Sequence, residues 1–118
     1  MEIELSKKYP VLPTRNVVIF AGTTLPLNIG RPRSVAAIEA ANERDGLIIA
    51  LAQKSEVSGE PGSEDVYAVG TLCKVEKMRG SSENGYQVLV RGMSRVKVYE
   101  FAPGEQFIEA LAEPRVRV

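Results

Sequence analysis

From Tyr9 to Ile29 the apolar positions follow an extended spacing, not a helical one. Pro10 and Pro13 forbid a helix and suit an edge strand or a strand with a corner. Val17-Val18-Ile19-Phe20 is a compact, β-branched apolar run and is expected to be buried. Leu25-Pro26-Leu27-Asn28-Ile29 alternates with period two and stops at Gly30, which predicts a second strand. The spacing then changes. Val35, Ile38 and Ala41 form a narrow stripe at helical spacing, and Ala36, Ala37 and Ala40 add helix propensity. Pro32 suits a first helical position, and Gly46 suits a left-handed stop. These signals predict one main helix over about residues 32–44. Leu47 to Ala52 is continuously apolar and reads as a buried strand.

Lys54 to Asp65 is rich in Ser, Gly, Pro and carboxylates and is expected to be a loop. Beyond Val66 the period is two throughout. Val69, Thr71, Cys73 and Val75 share one strand face, with Gly70 a candidate bulge or bend. Asn84-Gly85 marks a hairpin, after which Tyr86, Val88 and Val90 alternate with Gln87, Leu89 and Arg91. Gly92 reads as another bend, followed by Val96 and Val98. Pro103-Gly104 is a turn, and Phe107 to Ala112 is a last strand. About six short strands and one helix predict a mostly β (α+β) fold, a small curved sheet or partly closed barrel with the helix packed on it. At 118 residues the chain is expected to be one domain, residues 1–118, with an ordered core over about 9–113 and the loop at 54–65.

Composition removes whole classes of chemistry. The chain has no histidine, which excludes a Ser-His-Asp triad, a Cys-His pair and a His-ligated metal site within it. The single Cys73 cannot form an internal disulfide or a multi-thiolate metal site. No two glycines lie two apart and no Gly-Lys pair occurs, so neither the dinucleotide fingerprint nor the Walker loop is present. Gly80-Ser81-Ser82-Glu83-Asn84 lacks the second glycine of a nucleophile elbow and reads as turn chemistry. Catalytic, cofactor and metal residues are therefore all expected to be absent. The charge-free run Asn16 to Gly30 has 15 residues, too few to cross a bilayer. With no signal-peptide pattern at the start, the expected location is the cytoplasm, with no membrane contact.

Charge balances at 15 basic against 15 acidic residues, a poor match for a nucleic-acid binder. It is nonetheless segregated. Lys74, Lys77, Arg79, Arg91, Arg95 and Lys97 against Glu76 and Glu83 leave residues 66–98 at net +4. The alternative function is thus an RNA-binding module using the basic sheet 74–97, with Tyr86 and Tyr99 available to stack on bases. The bland reading of the same charges is a solvated sheet face. Arg31 and Arg33 flank Pro32 and face either solvent or an acidic partner.

Several short stretches, in order, resemble one known family. Pro10-Val11-Leu12-Pro13-Thr14-Arg15-Asn16-Val17-Val18 is similar to the P-V-L-P-L-R-D-V-V opening of the amino-terminal domain of ATP-dependent Lon proteases. Leu25-Pro26-Leu27-Asn28-Ile29-Gly30-Arg31, followed by Ser34, resembles that domain's P-L-x-V-G-R strand and its G-R-x-x-S turn into the helix. Ala52-Gln53-Lys54, Val69-Gly70-Thr71 and Val88-Leu89-Val90-Arg91-Gly92 with Arg95 resemble its later strands. Thr14, Asn16, Ala21-Gly22 and Arg91 depart from the family's Leu, Asp, Pro-His and Glu, which bears on the Phe20–Leu25 loop and not on the fold.

The resemblance implies a PUA-like pseudo-barrel that helps recognise unfolded or tagged protein substrates and supports assembly of a hexamer. It places the ATPase and the Ser-Lys peptidase, with their ATP and Mg, in domains outside this chain, which is then either an excised piece or a stand-alone relative. The expected partners are unfolded or tagged proteins and the other domains and subunits of a Lon-type hexamer. Nucleic acid is not expected among them. The candidate contact residues are Phe20, Leu25 and Leu27, with Arg31 and Arg33 beside them to meet acidic clients.

Overall fold

In the computed structural model, residues 5–15, 17–54, 61–104 and 106–115 are described. Six strands and one α-helix follow in the order β1 (Tyr9–Thr14), β2 (Thr24–Ile29), α1 (Pro32–Glu43), β3 (Leu47–Ala52), β4 (Val69–Ser81), β5 (Gly85–Pro103) and β6 (Ile108–Pro114). The sheet order is β2-β5-β4-β3-β1-β6, and β6 also pairs with β5. That last pairing closes β5, β4, β3, β1 and β6 into a ring. All neighbours are antiparallel except β1 and β3, whose parallel pairing needs the long crossover that β2 and α1 supply.

The mostly β architecture with one helix matches the expectation, but the strands are not all short. β4 has 13 residues and β5 has 19. Gly92 does not end a strand. The register slips between Leu72 and Cys73, opposite Ser94 and Gly92, so Met93 is an extra residue and β5 runs on through a bulge. A second slip falls between Val75 and Lys77, while Gly70 itself lies in regular pairing. The last strand starts one residue late and extends to Pro114.

Strands buried on both faces explain the unbroken apolar runs. Leu47, Ile49 and Leu51 of β3 point into the ring with Tyr9, Val11, Leu72, Val96 and Ile108. Ile48 and Ala50 point the other way, into a second cluster with Leu12, Ile29, Val35, Ile38, Cys73, Val88 and Val90. α1 covers this second cluster with Ser34, Val35, Ala37, Ile38 and Ala41, the expected stripe widened by two small residues. The helix ends as its glycine predicts. Gly46 takes φ +80° and its N–H reaches the Ala41 carbonyl at 2.7 Å.

Half of the expected 54–65 loop, residues 55–60, lies outside the described residues. Its two ends are pinched together: the Lys54 N–H bonds the Asp65 carbonyl at 2.8 Å, and Gln53 bridges Val66.

Candidate functional site

β1 does not continue to Phe20. It stops at Thr14, whose hydroxyl donates to the Val17 carbonyl at 3.1 Å and turns the chain. The segment that follows alternates, and among the described residues no strand pairs with it. Val18 is 59% exposed, Ile19 only 4%, and Phe20 60%. The expectation that this run is buried thus holds for Ile19 and fails for Val18 and Phe20, because only alternate side chains can face the core of an extended segment.

The backbone here is held by three hydrogen bonds, to Thr71 and Gly92. The buried Thr71 hydroxyl donates to the Ile19 carbonyl at 2.6 Å. Gly22, at φ +86°, donates to the Gly92 carbonyl at 2.8 Å, and the Gly92 N–H returns to the Thr23 carbonyl at 2.8 Å. A Cβ on Gly92 would lie 2.2 Å from the Phe20 carbonyl oxygen, so only glycine admits this approach. Two large apolar side chains are therefore displayed on a fixed loop.

Beside the loop lies a cleft of about 560 Å³. Its origin is topological. Among the described residues β6 pairs with β1 only at Tyr9 and Pro10, and from Val11 to Thr14 no described strand lies beside that edge of β1. β2 pairs with β5 along one edge, and among the described residues no strand covers the other. The cleft is lined from β1 by Leu12 and Pro13, from the turn by Arg15 and Val17, from β2 by Leu27, Asn28 and Ile29, and from the start of α1 by Arg31 and Ser34.

The five expected contact residues have different fates. Phe20 is exposed on the loop. Leu25 and Leu27 are half-buried and pack against the helix-side core, and Leu27 also lines the cleft. Arg31 is a strut across the cleft end: its guanidinium donates to Gln53 Oε1 at 2.6 Å and to the Pro13 carbonyl at 3.0 Å. Arg33 reaches away to the Gly104 carbonyl at 3.2 Å and ties the helix start to the β5–β6 turn. Neither arginine simply faces solvent. Sequence reasoning did not single out Val18, Arg15 or Ser34. The G-R-x-x-S stretch held the available signal for Ser34, and Val18 became visible only with its anchor at Thr71.

The basic sheet is partly neutralised from within. Arg91 pairs with Glu76 at 2.7 Å, and the Lys74 ammonium donates to the Asp45 carbonyl. The half-buried Tyr86 donates its hydroxyl to Glu39 Oε2 at 2.6 Å, and Ser82 donates to the same oxygen. Those two bonds, that from Ser82 first, hold the Glu39 carboxyl below its ordinary pKa. The Glu39 carboxylate in turn raises that of Tyr86. Burial pushes the Cys73 thiol up to about 12, which leaves it unreactive at neutral pH. Among the described residues no three metal-ligating side chains come together, and no helix is long and apolar enough to cross a membrane.

Residues 8–115 match the family model described as the ATP-dependent protease La (LON) substrate-binding domain. The Lon protease of Desulfovibrio desulfuricans is 45% identical over 104 residues, covering 88% of this chain and 12% of that protein. The Lon protease of Escherichia coli is 35% identical over 104 residues, again 88% of this chain and 13% of that one. The chain thus spans about an eighth of these relatives. The N-terminal domain of a Mycobacterium avium complex Lon protease superposes with a TM-score of 0.74 at 18% identity, covering 95% of this chain and 56% of that one. A Lon N-terminal domain protein from Xanthomonas campestris gives 0.65 at 17%, covering 93% and 62%. At these identities the superpositions speak for the fold.

Proposed function

The chain belongs to the Lon substrate-binding domain family, and from that premise we propose that it is a protein-interaction module recognising unfolded or tagged proteins for an ATP-dependent Lon-type serine protease. Its work is protein quality control and regulated proteolysis in the cytoplasm. The ATPase and peptidase, with ATP and Mg, belong to other domains of a hexameric parent, and this chain is not itself the enzyme.

The observation that carries this reading is the display of Val18 and Phe20, both about 60% exposed, on a loop clamped to Thr71 and Gly92. Unfolded clients expose apolar segments. A rigid apolar prominence meets them without ordering itself first, which removes one of the free-energy costs of association. One small contact surface binds weakly, at about 10 µM or poorer, and copies arranged in a ring add avidity.

Fluorescence anisotropy with a labelled, permanently unfolded protein tests the reading. Phe20→Ser is expected to weaken binding roughly fivefold, the scale of one exposed anchor. Its melting temperature is expected to stay within about 2 °C, as for surface substitutions generally. Unchanged affinity, or nanomolar binding by the lone monomer, overturns it. The RNA-binding alternative is the weaker one, because Tyr86, Lys74 and Arg91 are engaged within the molecule.

A further inference from the structure

We propose that the outward face of β2, β5 and β4 receives an extended acidic segment of a client protein, with Lys77 and Arg79 as its anchors. The inference rests on the client-binding reading above and adds the charge class of client that a second surface takes.

The face is built by a bulge. Val75 pairs with Val90 and the next pair is Lys77 with Leu89, so Glu76 is an extra residue in β4. Without that residue Lys77 and Arg79 would point toward the helix-side core, because a one-residue slip exchanges the two faces of a strand. With it, Met78 packs against that core opposite Val88, while Lys77 and Arg79 are both exposed. Their neighbours across the ladder are Leu89 and Gln87 of β5, and beyond these Pro26 and Asn28 of β2. Pro26, Leu89 and the two cations border an open concavity of about 640 Å³, and no carboxylate lines it.

These two charges differ from others on the basic sheet. Arg91 is neutralised by Glu76 and Lys74 donates to the Asp45 carbonyl, whereas Lys77 and Arg79 have no ion pair among the described residues. Charge complementarity therefore selects an anionic partner, and the spacing selects its form. Successive outward positions of one strand lie about 7 Å apart, which matches carboxylates at alternate positions of a second extended chain. The half-buried Leu89 and the exposed Pro26 form an apolar floor. Such a floor takes an aliphatic side chain of the partner, and by displacing water it strengthens the ion pairs formed over it. RNA fits less well. Two unpaired cations neutralise few phosphates, and the Tyr86 hydroxyl ties its ring to Glu39.

Fluorescence anisotropy of this chain with a labelled Ser/Gly decapeptide carrying Asp at two alternate positions beside one Leu, and with its Asn counterpart, tests the proposal. At low salt the Asp peptide is expected to bind about fivefold more tightly, the scale of two exposed ion pairs. The double variant Lys77→Gln, Arg79→Gln should bring the Asp peptide to the level of the Asn peptide. Lys97→Gln, which removes an exposed cation farther along β5, should leave the difference in place. Equal affinity of the two peptides for the parent protein overturns the proposal, as does binding of neither. An equal loss from Lys97→Gln also overturns it, since the effect would then belong to overall charge and not to this face. So does a single-stranded RNA oligomer that binds more tightly than the Asp peptide and is lost in the double variant, which assigns the face to nucleic acid. If the unfolded protein still binds through Phe20 while the two peptides are equivalent, only this inference falls. If that protein fails to bind as well, the reading beneath it falls too.

Discussion

In the ring of β5, β4, β3, β1 and β6, strands are joined edge to edge and the interior is filled by Leu51, Ile49, Leu72 and Val96, none of them measurably exposed. On the other side of the same strands the arrangement is looser. α1 covers part of the sheet, β2 has a free edge, the end of β1 has another, and Val18 and Phe20 stand in solvent. The two halves share β1, β3, β4 and β5, so what separates them is how their strands are closed and not composition. A half whose strands close on one another can carry the stability of the whole. The half with edges to spare is then free to bind.

The contrast is broken most severely from the ring side. Leu51→Ala removes a fully buried side chain and is expected to destabilise the protein by about 3 kcal/mol, lowering the melting temperature by roughly 10 °C. Client binding should fall only as far as the protein unfolds, which calorimetry and anisotropy at two temperatures would show. A smaller effect is expected from Thr71→Val, which leaves the Ile19 carbonyl without its donor at a cost of about 1–2 kcal/mol. Hydrogen exchange should quicken at residues 17–23 well before the ring strands respond. Uniform quickening across both halves would erase the distinction.

The smallest effect concerns the tie between α1 and the β4–β5 hairpin. Ser82 and Tyr86 hold the Glu39 carboxyl below the ordinary carboxylate pKa of about 4.3. As pH falls, the unfolded chain therefore takes up this proton first. The stabilisation is present above the ordinary value and is lost as pH falls through the lowered one. Urea midpoints between pH 3 and pH 7 should show a shallower acid limb for Glu39→Gln than for the parent protein.

Much of this was legible in advance, and the misses share a cause. α1, β3 and the hairpin after Asn84-Gly85 depend on neighbours within a few residues, and all three lie where the pattern puts them. Gly92 signals a break locally, yet its purpose is distant: it makes room for the Phe20 carbonyl while β5 runs on. Val18 and Phe20 look like core because they are apolar and β-branched or aromatic. Their exposure is imposed from Thr71, 52 residues beyond Ile19, which turns Ile19 inward. Arg31 and Arg33 look like surface charges, and their carbonyl partners at Pro13 and Gly104 carry no side-chain signature at all.

The ring is sealed where its last strand meets its first, with Ala110 beside Tyr9 and Glu109 beside Pro10. A nascent polypeptide emerging from the ribosome holds β1 for some hundred residues before the strand that locks it exists. Until then that edge is open to any passing chain, and the entropy of closing so long a loop must be met in a single late step. A proposed receptor for unfolded polypeptides would be, for that interval, one of them.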